Sequence, residues 1–423
     1  MLANCGPLNS LKRSSPLALT RFRRLESLLS TTVSSGELYR GESRVAVRNK
    51  LANDICSKLE DASPGRLLAL LRNALKWEQS EGFLQKTACR VDLITGKAMG
   101  PLLDESPATS IIHTLRFPDG SHPECLVFSR DGSNILTGSS DGLIEVWNTA
   151  AGTLSMDYEY QAAGNFMVHH SSVTAVALSH DGTLLASGDR EGILHLWLLR
   201  TGKLVANFKS HHRDAITSLS FSSDDAQVLS SSLDCCVIIY GVKSGRLIQE
   251  WRIQDCFAAS AEFLHDGDVL TACSDGVLRK FSTSSPNDIF RFSISDVIPK
   301  DFSLHSSTEG SVKRVLILDK SKSLVVCPSI NIGCTTSFDG RLIRSFRSDS
   351  AHDAFVDVAI APSGCLLYFA SERGNLYCFN NLTGDLIHVS HVSDGEITCV
   401  SHHPRKSMVA VSSTDGSLRL YSR

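Results

Sequence analysis

The sequence predicts a mainly β chain, a closed seven-bladed β-propeller preceded by a small α-helical N-terminal segment. Three observations predict it. One short phrase recurs from residue 122 onward at intervals of about 40–50 residues, each copy repeats the same order of apolar strands and Ser/Asp/Gly turns, and the first hundred residues instead carry apolar side chains at helical spacing. The chain has 423 residues, 42 Lys+Arg against 45 Asp+Glu, and 42% hydrophobic residues. So balanced a charge argues against a protein built to coat nucleic acid. The balance is local, however: residues 1–107 hold 16 basic and 11 acidic residues, which leaves −8 on residues 108–423. No uninterrupted apolar stretch approaches the roughly 18 residues of a membrane-spanning helix.

The copies can be laid against one another by their last aromatic. The first runs from Phe128 through Asp141-Gly142 to Trp147, the second from Leu178 through Glu191-Gly192 to Trp197, the third from Phe221 through Asp234 to Tyr240, and the fourth from Phe263 through Asp275-Gly276 to Phe281. Two more close the chain, Ser371–Phe379 and Ser413–Tyr421, the latter through Asp415-Gly416. The 98 residues between Phe281 and Phe379 leave room for one degenerate copy: a strand Val315–Leu318, a turn Asp319–Ser323, Leu324–Val326, then Phe338-Asp339-Gly340 leading to Phe346. That makes seven. The expected organisation is a helical segment over 1–97, a Pro-containing linker over 98–108, and the propeller over 109–423.

A period of this length with four short strands per unit is the WD40 β-propeller. In that family the Asp before Gly lies in the turn between the second and third strands, where it accepts hydrogen bonds from backbone N–H groups and from a His near the blade start; the Trp six residues later anchors the same network. His212 stands four residues before Ile216, and His169 and His352 hold the same relation to Val173 and Val356. Glu191 and Arg373 replace the Asp in blades two and six, and Gln254 stands where blade four would carry its His, so looser turns are expected there. Because the chain stops just after the third strand of blade seven, the alternating stretch Ser110–Phe117 is expected to pair beside Leu418–Tyr421 and latch the ring.

In the N-terminal segment Ser63-Pro64 reads as a helix start and Gly82 as a stop. Between them Leu67, Leu68, Leu70, Leu71, Ala74, Leu75 and Trp77 occupy more than one helix face, and Phe83 follows. So wide an apolar surface needs cover from other helices (Leu17–Leu29, Val45–Leu59), from the propeller or from a partner. Leu67, Leu68, Leu71, Leu75, Trp77 and Phe83 are therefore the candidate partner-binding residues. The basic first 25 residues read as a helix start rather than a transit peptide, since the pattern runs on into Glu26.

Nothing in the sequence points to catalytic, cofactor-binding or metal-binding residues. Gly138-Ser-Ser-Asp-Gly142 satisfies G-x-S-x-G, but it falls in a strand-to-strand turn rather than the strand-to-helix elbow that hydrolysis requires. The pairs His169–His170, His211–His212 and His402–His403 lack further ligands at metal spacing. The 13 cysteines contain no C-x-x-C pair and read as reduced, mostly buried thiols. Trp197-Leu-Leu-Arg200 half-matches the W-D-x-R of cullin-ligase substrate receptors, the alternative functional class. No basic stripe interleaved with aromatics is visible, so direct RNA contact would be incidental.

Several phrases resemble the Smu-type (suppressor of mec and unc) WD40 proteins of the spliceosome: Arg66–Phe83, Asp92–Ala98, Gly142–Asn148, Tyr160-Gln-Ala-Ala-Gly-Asn-Phe-Met167 and Ser401-His-His-Pro404. The resemblance implies a nuclear, non-enzymatic scaffold in pre-mRNA splicing, acting at assembly and activation of the precatalytic complex and bound to the RED protein through its N-terminal helical region. Family members begin with a LisH motif and a CTLH segment, most of which this chain lacks, so the resemblance does not carry dimerisation or full RED binding over to it.

Overall fold

The computed structural model describes residues 106–208, 211–264, 266–283, 288–294, 311–318, 323–348 and 353–423. The chain divides into two units, Met1–Met99 and Gly100–Arg423, and the described residues all belong to the second. The helices expected in the first hundred residues, with Leu67, Leu68, Leu71, Leu75, Trp77 and Phe83, lie outside the described residues, as does His352.

The described strands form seven antiparallel sheets, each a blade; in six of them the strands follow one another outward from a central channel, and in the seventh the outer strand comes from before blade one. Blade one holds Pro123–Phe128, Asn134–Ser139 and Leu143–Asn148, with a broken outer strand of Thr153–Leu154 and Met167–Val168. The inner strands of blades two to seven are Val173–Leu178, Ile216–Phe221, Ala258–Phe263, Val312–Leu318, Phe355–Ile360 and Ile397–His402. Burial explains the composition. The second strands Asn134–Ser139, Leu366–Ser371 and Met408–Ser413 are buried at every residue because a neighbouring blade covers each face. Outer strands such as Leu386–His391 are covered on one face only and alternate.

Seven apolar clusters hold the ring, one at each blade–blade interface. The seventh joins the propeller's first and last blades: Leu115, Phe117, Leu126, Phe128 and Ile135 pack with Cys399, Ala410, Leu418 and Leu420. Outside this seam Ser110–Arg116 pairs antiparallel with Ser417–Ser422, placing Ile111 opposite Tyr421 and Leu115 opposite Leu418. The residues just before it, read as linker in sequence, are themselves docked. Ala108 is buried and its N–H donates to the Tyr368 hydroxyl at 3.1 Å, while Ser407 donates to the Ser106 carbonyl at 2.6 Å.

Every inner strand carries a β-bulge after its first residue, at Glu124, Thr174, Thr217, Ala259, Lys313, Val356 and Thr398. A bulge re-aims one side chain. Here three of the bulged residues stitch blade to blade: the hydroxyls of Thr174, Thr217 and Thr398 each donate at 2.6 Å to the carbonyl that opens the next inner strand, Ile216, Ala258 and Pro123.

Two sequence expectations need correction. In blade five the third strand is Ile332–Ser337, and Asp339-Gly340 turns into the outer strand Leu342–Arg347, which carries Phe346. The polar turn Ser329–Asn331, with no Asp-Gly, hid the true third strand. The stretch 284–310, expected as a long exposed loop, contains the outer strand of blade four, Asp288–Ser293.

Candidate functional site

The channel and the blade corners are where side chains of chemical interest gather. Around the C-terminal ends of the inner strands lies a cavity of about 520 Å³, walled by Leu219, Phe263, Leu316 and Ile360 with Glu262 and His402 among them. A narrower polar cavity of about 190 Å³ surrounds the N-terminal ends, lined by Thr174, Ser260, Lys313, Arg314 and Asp357. Its strongest charges are already paired. Arg314 places one guanidinium nitrogen 2.6 and 2.9 Å from the two Asp357 oxygens, and Asp357 also accepts from the Val400 amide at 2.7 Å. One carboxylate thus ties blades five, six and seven together.

At the corner between blades one and two, His169 lies 3.1 Å by Nδ1 from Asp189 Oδ2 and 2.6 Å by Nε2 from Ser187 Oγ, which accepts the Trp197 indole N–H at 2.8 Å. The corner between blades two and three repeats it with His212, Asp234 at 3.0 Å and Ser230 at 2.7 Å. Ser–His–Asp in this order is the arrangement of acyl-transfer nucleophiles. Both serines are wholly buried, however, and Ser187 is saturated by Trp197 and His169, so no reacting carbonyl can approach. The triads are cross-links. Burial alone would raise Asp234, but the His212 hydrogen bond and the Arg213 and Cys236 amides outweigh it and lower its pKa to about 2.

The sequence-assigned blade positions separate into those that build such corners and those that cap their own turn. Asp141, Asp275 and Asp415 accept the amide two residues on, from Leu143, Val277 and Ser417, at 2.8–3.1 Å. Asp275 and Asp415 also hold Arg279 and Arg419. The Trp147 indole donates to Thr137 at 3.1 Å and packs against Phe117. Tyr240, Phe281 and Tyr421 are buried where a Trp would stand, Tyr240 against Phe208 and Phe281 against Trp251.

Two of the three expectations about incomplete networks are overturned. Glu191 is exposed; the acid of blade two is Asp189, two residues upstream at the end of the second strand, where it accepts the Glu191 and Ile193 amides as well as His169. In blade six Arg373 is exposed, and Asp353 supplies the carboxylate from the opposite side, accepting the Tyr377 hydroxyl at 2.7 Å, Asn375 Nδ2 at 3.0 Å and the Arg373 amide at 3.3 Å. In blade four Gln254 is exposed and the corner is filled by Cys256, Cys273, Asp275 and Arg279. Blades two and six are therefore closed by acids displaced along the chain, which a search for Asp-Gly pairs cannot find.

Gln161 was also missed, although it lies in a stretch quoted for the family resemblance. The one-turn helix Glu159–Ala162 interrupts the outer strand of blade one, and Gln161 there takes the part of a missing strand residue. Its Oε1 accepts the Val146 amide at 2.9 Å, and its Nε2 donates to the carbonyls of Val146 at 2.7 Å and Ser155 at 2.9 Å. The side-chain amide pairs as backbone would, and the sheet edge stays closed.

Comparison with known proteins agrees with this architecture. The family model described as WD domain, G-beta repeat, matches residues 110–148, 162–197, 202–241 and 384–422. The chain is 29% identical over 428 aligned residues to the WD40 repeat-containing protein smu1 of Dictyostelium discoideum, covering 100% of this chain and 79% of that protein. It is 21% identical to the WD repeat domain-containing protein 83 homolog of the same organism, over 70% of this chain and 93% of that one. Among solved structures it superposes on the β-propeller domain of Cps50 (Swd1) from Myceliophteria thermophila with a TM-score of 0.62 at 16% identity, covering 74% of this chain and 99% of that one. The propeller domain of Doa1 gives a TM-score of 0.60 at 17% identity, over 74% and 96%. At those identities the superpositions show the fold alone.

Proposed function

We propose that this chain, a WD40-repeat β-propeller of the Smu1 type, is a non-enzymatic scaffold of the spliceosome, acting in pre-mRNA splicing in the nucleus. Similarity to smu1 along the whole chain carries the reading. The buried, saturated Ser–His–Asp corners support a structural role for the groups most open to a catalytic interpretation. On this reading the N-terminal segment, through Leu67, Leu68, Leu71, Leu75, Trp77 and Phe83, docks a RED-family protein, and the propeller faces hold other spliceosomal proteins without direct RNA contact.

The substrate-receptor alternative gains nothing from the structure. Trp197 is committed to Ser187, and Arg200 is an exposed residue after the third strand. Affinity purification of the tagged chain from nuclear extract, with mass spectrometry of what is retained, tests the proposal. RED and spliceosomal proteins are expected. Retention of cullin adaptors in their place would move the protein to the other class, and retention of neither would remove both readings.

A further inference from the structure

The corner between blades three and four differs in chemistry from its neighbours. Where blades two and three use a His–Asp cross-link, this corner presents two thiols: the side-chain donor atoms of Cys256, Cys273 and Asp275 lie within 4.8 Å of one another. Cys256 sits in the loop entering blade four, and Cys273 ends the second strand directly opposite Ala258. Both are buried, Cys273 completely and Cys256 with 6% of its surface open beside the exposed Gln254 and Asp255. Backbone bonds hold the two segments in register, Ser274 N–H to the Phe257 carbonyl at 2.9 Å and Phe257 N–H to Ser274 Oγ at 3.2 Å.

A soft metal ion is the first occupant such a trio brings to mind, but the charges oppose it. Asp275 is already engaged by both terminal nitrogens of Arg279, and that guanidinium stands against the sulfurs, where a cation would be repelled. The same arrangement favours a thiolate. The hydrogen bond from Cys256, helped by Arg279 and against burial, lowers the pKa of Cys273, while donating to Cys273 and burial raise that of Cys256.

We propose that Cys256 and Cys273 are an oxidation site, a dithiol that hydrogen peroxide converts to a disulfide joining the blade-four entry loop to the second strand. Transfer of the proton along the S–H···S⁻ hydrogen bond puts the charge on Cys256, the less buried of the two residues. The Cys256 thiolate attacks one peroxide oxygen, the O–O bond breaks, and the departing oxygen leaves as hydroxide; the sulfur now carries a sulfenic OH. The Cys273 sulfur, giving up its proton, displaces that OH, which leaves as water once protonated. In sum two thiols lose two protons and two electrons, and one peroxide becomes two waters. The product is the covalent counterpart of the His–Asp cross-links in the neighbouring corners.

The test uses the full folded chain, reduced and then treated with hydrogen peroxide, blocked with N-ethylmaleimide and digested without reductant. The expected product is a single cross-linked peptide pair containing Cys256 and Cys273, lighter than the sum of the two by two hydrogens. Dithiothreitol should release it, and the oxidised chain should melt at a higher temperature than the reduced one. Arg279→Gln should slow cross-linking several-fold at neutral pH and shift its rate profile to higher pH, which a merely structural arginine would not do. The proposal is overturned if both cysteines remain free for alkylation while other thiols oxidise, if the bond forms only in urea, or if zinc alone binds the untreated chain stoichiometrically and shields both thiols. Because the primary readout uses the unsubstituted chain, the outcome does not depend on any variant folding.

Discussion

At the scale of single residues, carboxylates and imidazoles act here as cross-links whose worth depends on burial. Asp189 accepts from a buried imidazole and two amides, whereas Glu191 meets solvent. Asp189→Asn is therefore expected to cost about 2–3 kcal/mol, because charge-assisted bonds are replaced and His169 loses its partner. Glu191→Gln should stay within about 0.5 kcal/mol. Urea melts of the two variants check the pair, and equal losses would return the role to Glu191. Imidazoles set the acid limit. His402 donates from Nδ1 to the His403 carbonyl at 2.7 Å and lies against the Tyr368 ring; burial, with cationic His403 adding repulsion, lowers its pKa to about 4. His403 is also lowered, by burial and by Lys406 and Arg405, and its Nδ1 accepts the amides of both. A depressed imidazole leaves the unfolded chain binding more protons, so stability is complete above about pH 6.5 and is lost as pH falls toward 4, by about 3 kcal/mol for His402. Glu145, raised to about 7 by burial and by Asp141, titrates in the same window with the opposite sign. The check is thus a difference: the pH dependence of melting for the wild type minus that of His402→Gln should carry the slope.

Among elements, the second and third strands are repeated closely and the fourth is where blades diverge. Blade one shows what divergence requires. Its outer strand is cut by a helical turn, and Val146, which would face an absent strand, is satisfied by Gln161. Gln161→Ala is expected to cost about 2 kcal/mol, since it strips partners from buried backbone groups. Gln161→Glu should be no better, because a carboxylate cannot donate to the Val146 and Ser155 carbonyls. Thermal melts, with amide exchange at Val146, read both. The Asp-Gly turns were legible because the residue after the acid adopts positive φ at Gly142, Gly276 and Gly416, which glycine tolerates. Cys235 holds the same conformation at φ 67° without being glycine, and blade three was still recognised from Asp234 and Tyr240. Blade five lacked these marks at its true turn, so its third strand was placed one element too late.

For the whole molecule, closure is the decisive event. Outer pairing by Ser110–Arg116, the Leu115–Leu420 cluster and the Thr398 hydroxyl on Pro123 seal one seam between residues about 300 apart in sequence. Leu115→Ala is expected to cost about 3 kcal/mol, as for other large-to-small core changes. Because ring closure is shared by all blades, it should lower one common unfolding transition rather than detach a blade. Calorimetry together with hydrogen exchange in blades one and seven would show this, and a separate early transition confined to those blades would refute it.

The sequence by itself determined the number of blades, the order of strands within most of them, and the Asp-Gly turns of blades one, four and seven, because a repeated local phrase encodes a repeated local structure. It could not locate the carboxylates of blades two and six, the plug at Gln161, the Arg314–Asp357 pair or the facing thiols of Cys256 and Cys273. Those depend on which atoms the ring brings within hydrogen-bond reach. Hydrogen-bond chemistry constrains where the charge must be, not which chain position supplies it, so an acid two residues upstream or across the turn serves equally well. Only the packed blades decided between them.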